Sequence, residues 1–428
     1  MATENGSIRP WSLKPDRLGR RSLMGLGAGS LLAALYIGTG DISIATSMGA
    51  AYGYSLWWTY FVLGLAAWAL VDMSTRYFLA TGKTPMTVFK EIHPVFSAYM
   101  VVTVVVCALF GSYSQWNAAA LVITGLFPSV PLEVGGLTAA GCAALFLYFG
   151  LYKRLELVFL MILGLLIISF TAAAIMAGAD WSGAVSGLIP RPAGPGWGAL
   201  FMANAGSLIN AWLILLYPYT MIEKGLYSPH LKERVNILHR ARIDYGWGIL
   251  AAAVVALPIM AAASSVARPF GIIPRSYMDL SVLLEPLAGS WSVYLFLGGL
   301  FAAAWTSGVA WWLGGAYALL DIYNLPIKLD SRPTRAIIAL FLLPSAGLIL
   351  LHLNPIYQII VFSAFLAIVF PVVGLALLYR ISWKDMGYFR WTLKNPRGVL
   401  TLLVDLFAVG LAAYIGWVRI GAFLGITM

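Results

Sequence analysis

Asp41 is the only charged residue between Leu31 and Trp58, an apolar stretch that reads LLAALYIGTGDISIATSMGAAYGYSLWW. A lone aspartate at bilayer depth costs about 2.5–3.5 kcal/mol on insertion scales, so such a residue faces a bundle interior or a water-filled path. Just ahead of it stands Gly38-Thr39-Gly40. Glycines flanking a threonine free backbone groups that lipid cannot satisfy, and this is tolerated only where the chain lines a cavity. The pattern predicts an apolar helix that breaks at Gly38-Thr39-Gly40, carries its charge at the break and resumes through Ile44, Met48 and Tyr52. Discontinuous helices of this kind hold substrates in secondary transporters. The competing readings are a neutral Asp41 bonded to a neighbouring helix, or a glycine kink made for packing.

A second stretch, Phe201 to Lys224, carries Asn204, Gly206, Ser207 and Asn210 in its first half and Pro218 in its second. It is predicted to pair with the first as another broken helix, with the site between them near the bilayer midplane. Asn210 is also the type of residue that bonds helices together in membranes.

These two stretches must be held by a membrane bundle. The chain has 428 residues, 61% hydrophobic and 10% charged, with a mean hydropathy of +0.86, more apolar surface than a water-soluble fold could bury. Besides the first, broken helix, spans of about 20 residues are expected near 54–75, 95–126, 132–151, 155–178, 199–223, 246–267, 289–320, 334–352, 356–380 and 398–420. That makes an all-α polytopic protein of about eleven transmembrane helices. Residues 1–22 are a basic cytoplasmic segment, 23–380 the transmembrane core, and 381–428 a cytoplasmic loop and final span. With the N-terminus inside and the C-terminus outside, all of the 27 Lys and Arg except Arg191, Arg268, Arg275 and Arg419 fall on the cytoplasmic side, as the positive-inside rule requires. The cytoplasmic (inner) membrane is the expected location. The net charge of +10 is therefore a topology signal, and no nucleic-acid partner is expected.

Cys107 and Cys142 both lie in apolar runs and suggest neither a disulfide framework nor a metal cluster. No phosphate loop, nucleophile elbow or zinc helix is present, so no enzyme and no cofactor are expected. Asp72 and Arg76 are placed to pair along one helix. Asp405, in the last span, is expected to make a polar contact or an oligomer interface.

The stretch Tyr36 to Tyr54, YIGTGDISIATSMGAAYGY, resembles without a gap the first transmembrane helix of the NRAMP divalent-metal transporters, whose pattern there is approximately YIDPGNxxxxxxxGAxxGY. Lys153 to Phe170 is similar to the family's entry into helix five, and Leu300 to Tyr317 to its helix eight. The resemblance implies a leucine-transporter-type fold with inverted repeats, spans 1–5 (about 23–178) and 6–10 (about 199–380), one extra C-terminal span, and alternating access.

The departures from the pattern bear on chemistry. Gly38 stands where the family has its metal-binding aspartate, Thr39 where it has proline, and Asp41 where it has asparagine. The helix-six Met-Pro-His falls approximately on Asn210-Ala211-Trp212, the acidic position of helix three near Gln115, and the helix-ten glutamine near Ala364. All four histidines, His93, His230, His239 and His352, are expected at or beyond helix ends.

Losing a thioether removes a filter against hard cations, and one carboxylate with neutral oxygens suits a cation that keeps much of its water. The expected function is transport or facilitated passage of divalent cations of the Mn²⁺ or Mg²⁺ type, weakly coupled or uncoupled to protons. Asp41, Gly38, Thr39, Gly40, Asn210 and Ala211 would bind the cation, through Asp41, Thr39 and opened carbonyls near Gly38 and Gly40, with Asn210 opposite. Gln115, Asn117, Ser307 and Trp305 would surround them, and Arg154 and Glu156 would anchor helix five or form an inner gate. The partners are the transported cation and membrane lipid, and a monomer is compatible with the sequence. One alternative is an organic cation held by Asp41 and aromatic faces among Trp116, Trp212, Trp305, Trp311 and Trp312. Another is a sensor or scaffold that kept the fold without transport.

Overall fold

The computed structural model describes residues 38–149, 170–209, 211–271, 289–351, 372–391 and 396–423, with single positions in 161–168, 362–369 and 393–394. Arg154, Glu156 and Asn210 lie outside the described residues, as do residues 1–37 and Ala364. Regular structure among the described residues is helical. In chain order it comprises α1 (Thr39–Tyr52), α2 (Trp58–Thr81), α3 (Pro85–Ile92) and α4 (Pro94–Val106). A π-helical turn, Cys107–Gly111, leads into α5 (Ser112–Leu126), followed by α6 (Leu132–Tyr148), α7 (Trp181–Ser186) and α8 (Trp197–Leu208). Then come α9 (Ala211–Glu223), α10 (Leu231–Val266), α11 (Ser290–Ile322), α12 (Arg332–Ile349), α13 (Val372–Ile381) and α14 (Pro396–Phe423).

Among the described residues six helices are long and apolar enough to cross a membrane, and α6 and α13 are shorter apolar helices. Of the two elements expected to be broken, the part of the first that precedes Gly38 lies outside the described residues. Helix six divides where expected, because α8 ends at Leu208 and α9 starts at Ala211. Of the expected break at Gly38-Thr39-Gly40, only Gly38 stands outside α1. Gly38 alone is extended, with φ −87° and ψ 171°, while Thr39 and Gly40 already belong to α1.

Two groups of helices form the bundle. α1 packs chiefly on α10 and α8, and α2 on α10, α9 and α14; α5 packs on α11 and α6, with α12 against α6. Small residues permit the closest approaches. A Cβ at Gly49 would come within 2.8 Å of the Met260 Cα on α10, so α1 and α10 meet backbone to backbone, the usual device where lipid supplies no hydrophobic drive.

The first group also holds a buried ion network. Asp72 on α2 pairs with Arg76 one turn on (2.7 Å) and with Arg242 of α10 (2.8 Å), and it accepts from the Tyr245 hydroxyl at 2.6 Å. Arg76 also binds Asp405 of α14. The expected pairing along α2 is present, and the polar contact expected of Asp405 is this ion pair. Unpaired, such charges would cost several kcal/mol each.

One expectation is corrected. α10 begins at Leu231, well before the predicted start near 246, so His239 lies inside a helix rather than at an end. Asp321 at the foot of α11 takes the Met86 N–H (3.1 Å) and the Tyr219 hydroxyl (2.7 Å).

Beyond the C-terminal end of α1, residues 180–195 are strapped to the segment that joins α1 to α2. The Tyr52 hydroxyl donates to Pro195 O (2.8 Å), the Tyr54 hydroxyl accepts from Asp180 N (2.9 Å), and Trp58 N donates to Gly187 O (3.0 Å).

Candidate functional site

Asp41 is the third residue of α1, where a carboxylate can reach back to the open end of its own helix. Its Oδ2 accepts the Gly38 N–H at 3.1 Å. Its Oδ1 accepts the hydroxyl of Ser207, in the last turn of α8. One buried carboxylate therefore joins the start of α1 to the end of α8. The carbonyls expected to open at the break are less available than predicted: Gly38 O accepts the Ile42 N–H at 3.2 Å, and Gly40 sits within the first helical turn.

Gln115 of α5 closes the other side. Its Oε1 accepts both the Thr39 N–H (3.3 Å) and the Thr39 hydroxyl (3.0 Å). Committing that oxygen leaves the amide nitrogen as the group facing Gly38. A Cβ at Gly38 would meet Gln115 Nε2 at 3.2 Å, Ser307 Oγ at 3.3 Å and Asp41 Oδ2 at 3.5 Å. The Gly38 backbone is in an ordinary region, so it is the crowding that favours glycine here.

Of the residues singled out in the sequence, Gly38, Thr39, Asp41, Gln115 and Ser307 are thus brought together, with Gly40 in the same helical turn. Ala211 opens α9 across the second break. Asn117 and Trp305 are each two residues, about 200° round the helix, from Gln115 and Ser307, so neither shares the face that meets Gly38. Trp305 packs edge-on against Phe146, ring centroids 5.4 Å apart. The other tryptophans whose side chains are described also serve packing. Trp116 lies against Trp312 (5.0 Å) and over Gly308, and Trp311 meets Phe362 (5.2 Å).

Sequence reasoning passed over Ser207, noting it only as one polar residue among several. Its signal was the three-residue spacing from Asn204, which puts both on one face of α8. Asn204 Nδ2 donates to Thr59 Oγ1 on α2 at 3.0 Å.

Among the described residues no group of three or more His, Cys, Asp and Glu side chains could hold a metal ion together. Asp41 binds a hydroxyl and a main-chain amide, with neither sulfur nor imidazole among its hydrogen-bond partners. A cation here would keep water and meet one charge and neutral oxygens.

The chain is 22% identical over 417 residues to the divalent metal cation transporter MntH of Deinococcus radiodurans, covering 94% of this chain and 91% of that protein. Among solved structures it is similar to a variant of the Eremococcus coleocola manganese transporter, with a TM-score of 0.73, 17% identity, and coverage of 96% and 90%. A nucleobase-cation-symport-1 family transporter in a closed conformation superposes with a TM-score of 0.60 at 13% identity, covering 94% and 92%. These likenesses establish an all-helical membrane protein with the leucine-transporter-type fold. The description "natural resistance-associated macrophage protein-like" matches residues 29–418, nearly the whole chain, and the protein belongs to that family.

Proposed function

We propose that this protein carries divalent cations across the membrane, with Asp41 as the single charged ligand and proton coupling weak or absent. The observation that carries the reading is the Asp41 carboxylate, buried between α1 and α8 and bonded to Ser207 across them. The named metal transporters similar to this chain support the substrate class. One carboxylate and neutral oxygens favour a hard, partly hydrated dication such as Mg²⁺ or Mn²⁺ over softer metals. Asn210 and Ala211, at the second break, complete the site. Alternating access moves the α1–α2–α8–α10 group against the α5–α6–α11–α12 group, within repeats of about 23–178 and 199–380. With the N-terminus inside the cytoplasmic membrane, an inside-negative potential supplies about 2.3 kcal/mol per charge per 100 mV, enough to drive a dication inward. Arg154 and Glu156 then belong to the inner gate.

An organic-cation substrate receives less support, since Trp116, Trp305, Trp311 and Trp312 are taken up by aromatic packing.

The test is flux of Mn²⁺, Mg²⁺ and Ca²⁺ into proteoliposomes under an imposed potential, with metal and pH dyes inside. Metal entry without proportional acidification, lost in Asp41→Asn, is the expected result. Entry that survives Asp41→Asn refutes the assignment of the ligand, and acidification that tracks metal entry refutes the uncoupled reading.

A further inference from the structure

Two polar atoms on the outer side of Asp41 have no hydrogen-bond partner among the described residues although their side chains are almost fully buried: Asn204 Oδ1 on α8 and the Tyr60 hydroxyl on α2. Which end of the Asn204 amide faces inward follows from its neighbour. The Thr59 hydroxyl gives its one proton to Leu56 O at 2.6 Å, so toward Asn204 it can only accept. Asn204 must therefore present Nδ2 to Thr59, at 3.0 Å, and its carbonyl oxygen points elsewhere. Asn204 precedes Ser207 by three residues on the same face, about 4.5 Å toward the outer end of α8. Tyr60 directly follows Thr59, the partner of Asn204, on α2.

The two sides of Asp41 thus differ in kind. Toward α5 it meets donors, the Gly38 N–H and the nearby Gln115 amide nitrogen, and donors repel a cation. Toward α8 and α2 stand oxygens with lone pairs to offer: Ser207 Oγ, whose proton is given to Asp41, then Asn204 Oδ1 and Tyr60 Oη.

Resting on the divalent-cation reading above, we propose that Asn204 Oδ1 and Tyr60 Oη form an outer cation subsite that takes an incoming hydrated dication before Asp41 does, with Ser207 as the step between them. Thr59 is a positioning residue, holding the Asn204 amide in the orientation that exposes its oxygen.

The experiment measures Mn²⁺ binding to the purified full-length protein, by loss of the free aqua-ion spectrum, beside Mn²⁺ flux from the outer face of proteoliposomes. Asn204→Ala and Tyr60→Phe should each weaken binding about five- to tenfold, the loss expected for one neutral ligand. Asp41→Asn should abolish flux yet keep weak binding that adding Asn204→Ala removes. Asn204→Asp, which keeps the shape and adds a charge, should bind more tightly and guards against a variant that merely fails to fold. Unchanged binding in Asn204→Ala and Tyr60→Phe overturns the subsite, as does Asn204→Asp binding no better than the parent. A parent that binds Mn²⁺ but carries none refutes the transport reading alone, and the binding comparison still decides the subsite. A parent that binds no Mn²⁺ refutes both.

Discussion

Replacing Gly38 by aspartate puts a second carboxylate where the family pattern carries its own, and the structure sets the consequence. The new Cβ would lie 3.5 Å from Asp41 Oδ2, which brings the two carboxylates to about 4 Å, a repulsion of about 4 kcal/mol at an effective dielectric of 20. Gln115 Nε2 and Ser307 Oγ, 3.2 and 3.3 Å from the same Cβ, could donate to the new group, and a hydrogen bond to a charged group returns about 1.5–3 kcal/mol. The metal-free Gly38→Asp protein should therefore lose about 1–3 kcal/mol of stability. A dication reverses the sign, because it is attracted to both carboxylates and relieves their repulsion. Apparent Mn²⁺ affinity should rise at least about tenfold, equivalent to about 1.4 kcal/mol. The assay is thermal unfolding of the purified protein across a Mn²⁺ titration, with Gly38→Ala as the control for bulk alone. A Gly38→Asp protein that is as stable as the parent without Mn²⁺, and is stabilised by Mn²⁺ no more than the parent, would refute the proximity of position 38 to Asp41.

Three further outcomes are expected. Arg76→Met strands Asp405 in the buried network and leaves Asp72 with Arg242 alone as its cation, which should cost about 3–5 kcal/mol, partly recovered by adding Asp405→Leu; thermal unfolding showing no loss would refute the buried pairing. Gly49→Ala drives a Cβ into the Met260 main chain, which cannot swing aside, so it should cost about 1–3 kcal/mol; an unshifted unfolding temperature would contradict the α1–α10 packing. Asp180 caps α7 by accepting from Ser182 N and Gly183 N, both at 3.0 Å. Hydrogen bonds from the Ser182 hydroxyl and these amides hold its carboxyl below the ordinary carboxylate range. A depressed carboxyl stabilises above its unfolded value and loses that contribution as pH falls through its folded one. Hydrogen exchange at Ser182 and Gly183 should thus stay slow at neutral pH and quicken only in acid, whereas in Asp180→Ala it should be fast throughout.

The sequence displayed the start of α1 and the division of helix six because each leaves a chemical trace: a glycine pair beside a lone carboxylate at Asp41, and a cluster of small and polar residues from Asn204 to Asn210. It displayed the Asp72–Arg76 pair because four residues on a helix share a face. Asp405 could be read only as some polar contact, since its partner Arg76 is 329 positions away. The bond from Ser207 to Asp41 was hidden for the same reason, as serine is common in helices and its partner lies 166 positions earlier. Tryptophans near polar residues suggested a cage for an organic cation, yet large side chains near small ones, as with Trp116 over Gly308, are equally the signature of close packing. Composition cannot separate those two uses of a ring.

The π-helical turn at Cys107–Gly111 carries one residue more than an α-helix would fit into the same rise. Everything after it on α5 is therefore set back in phase by about 100° relative to an unbroken continuation of α4. Gln115 faces Thr39 by virtue of that shift. Deleting a single residue from 107–111 would leave every side chain of α5 in the protein, yet it would aim a neighbouring one at the break. Aligning this helix with one that has no such turn therefore requires a shift of one position at Gly111, and an ungapped alignment would assign Gln115's role to the wrong letter.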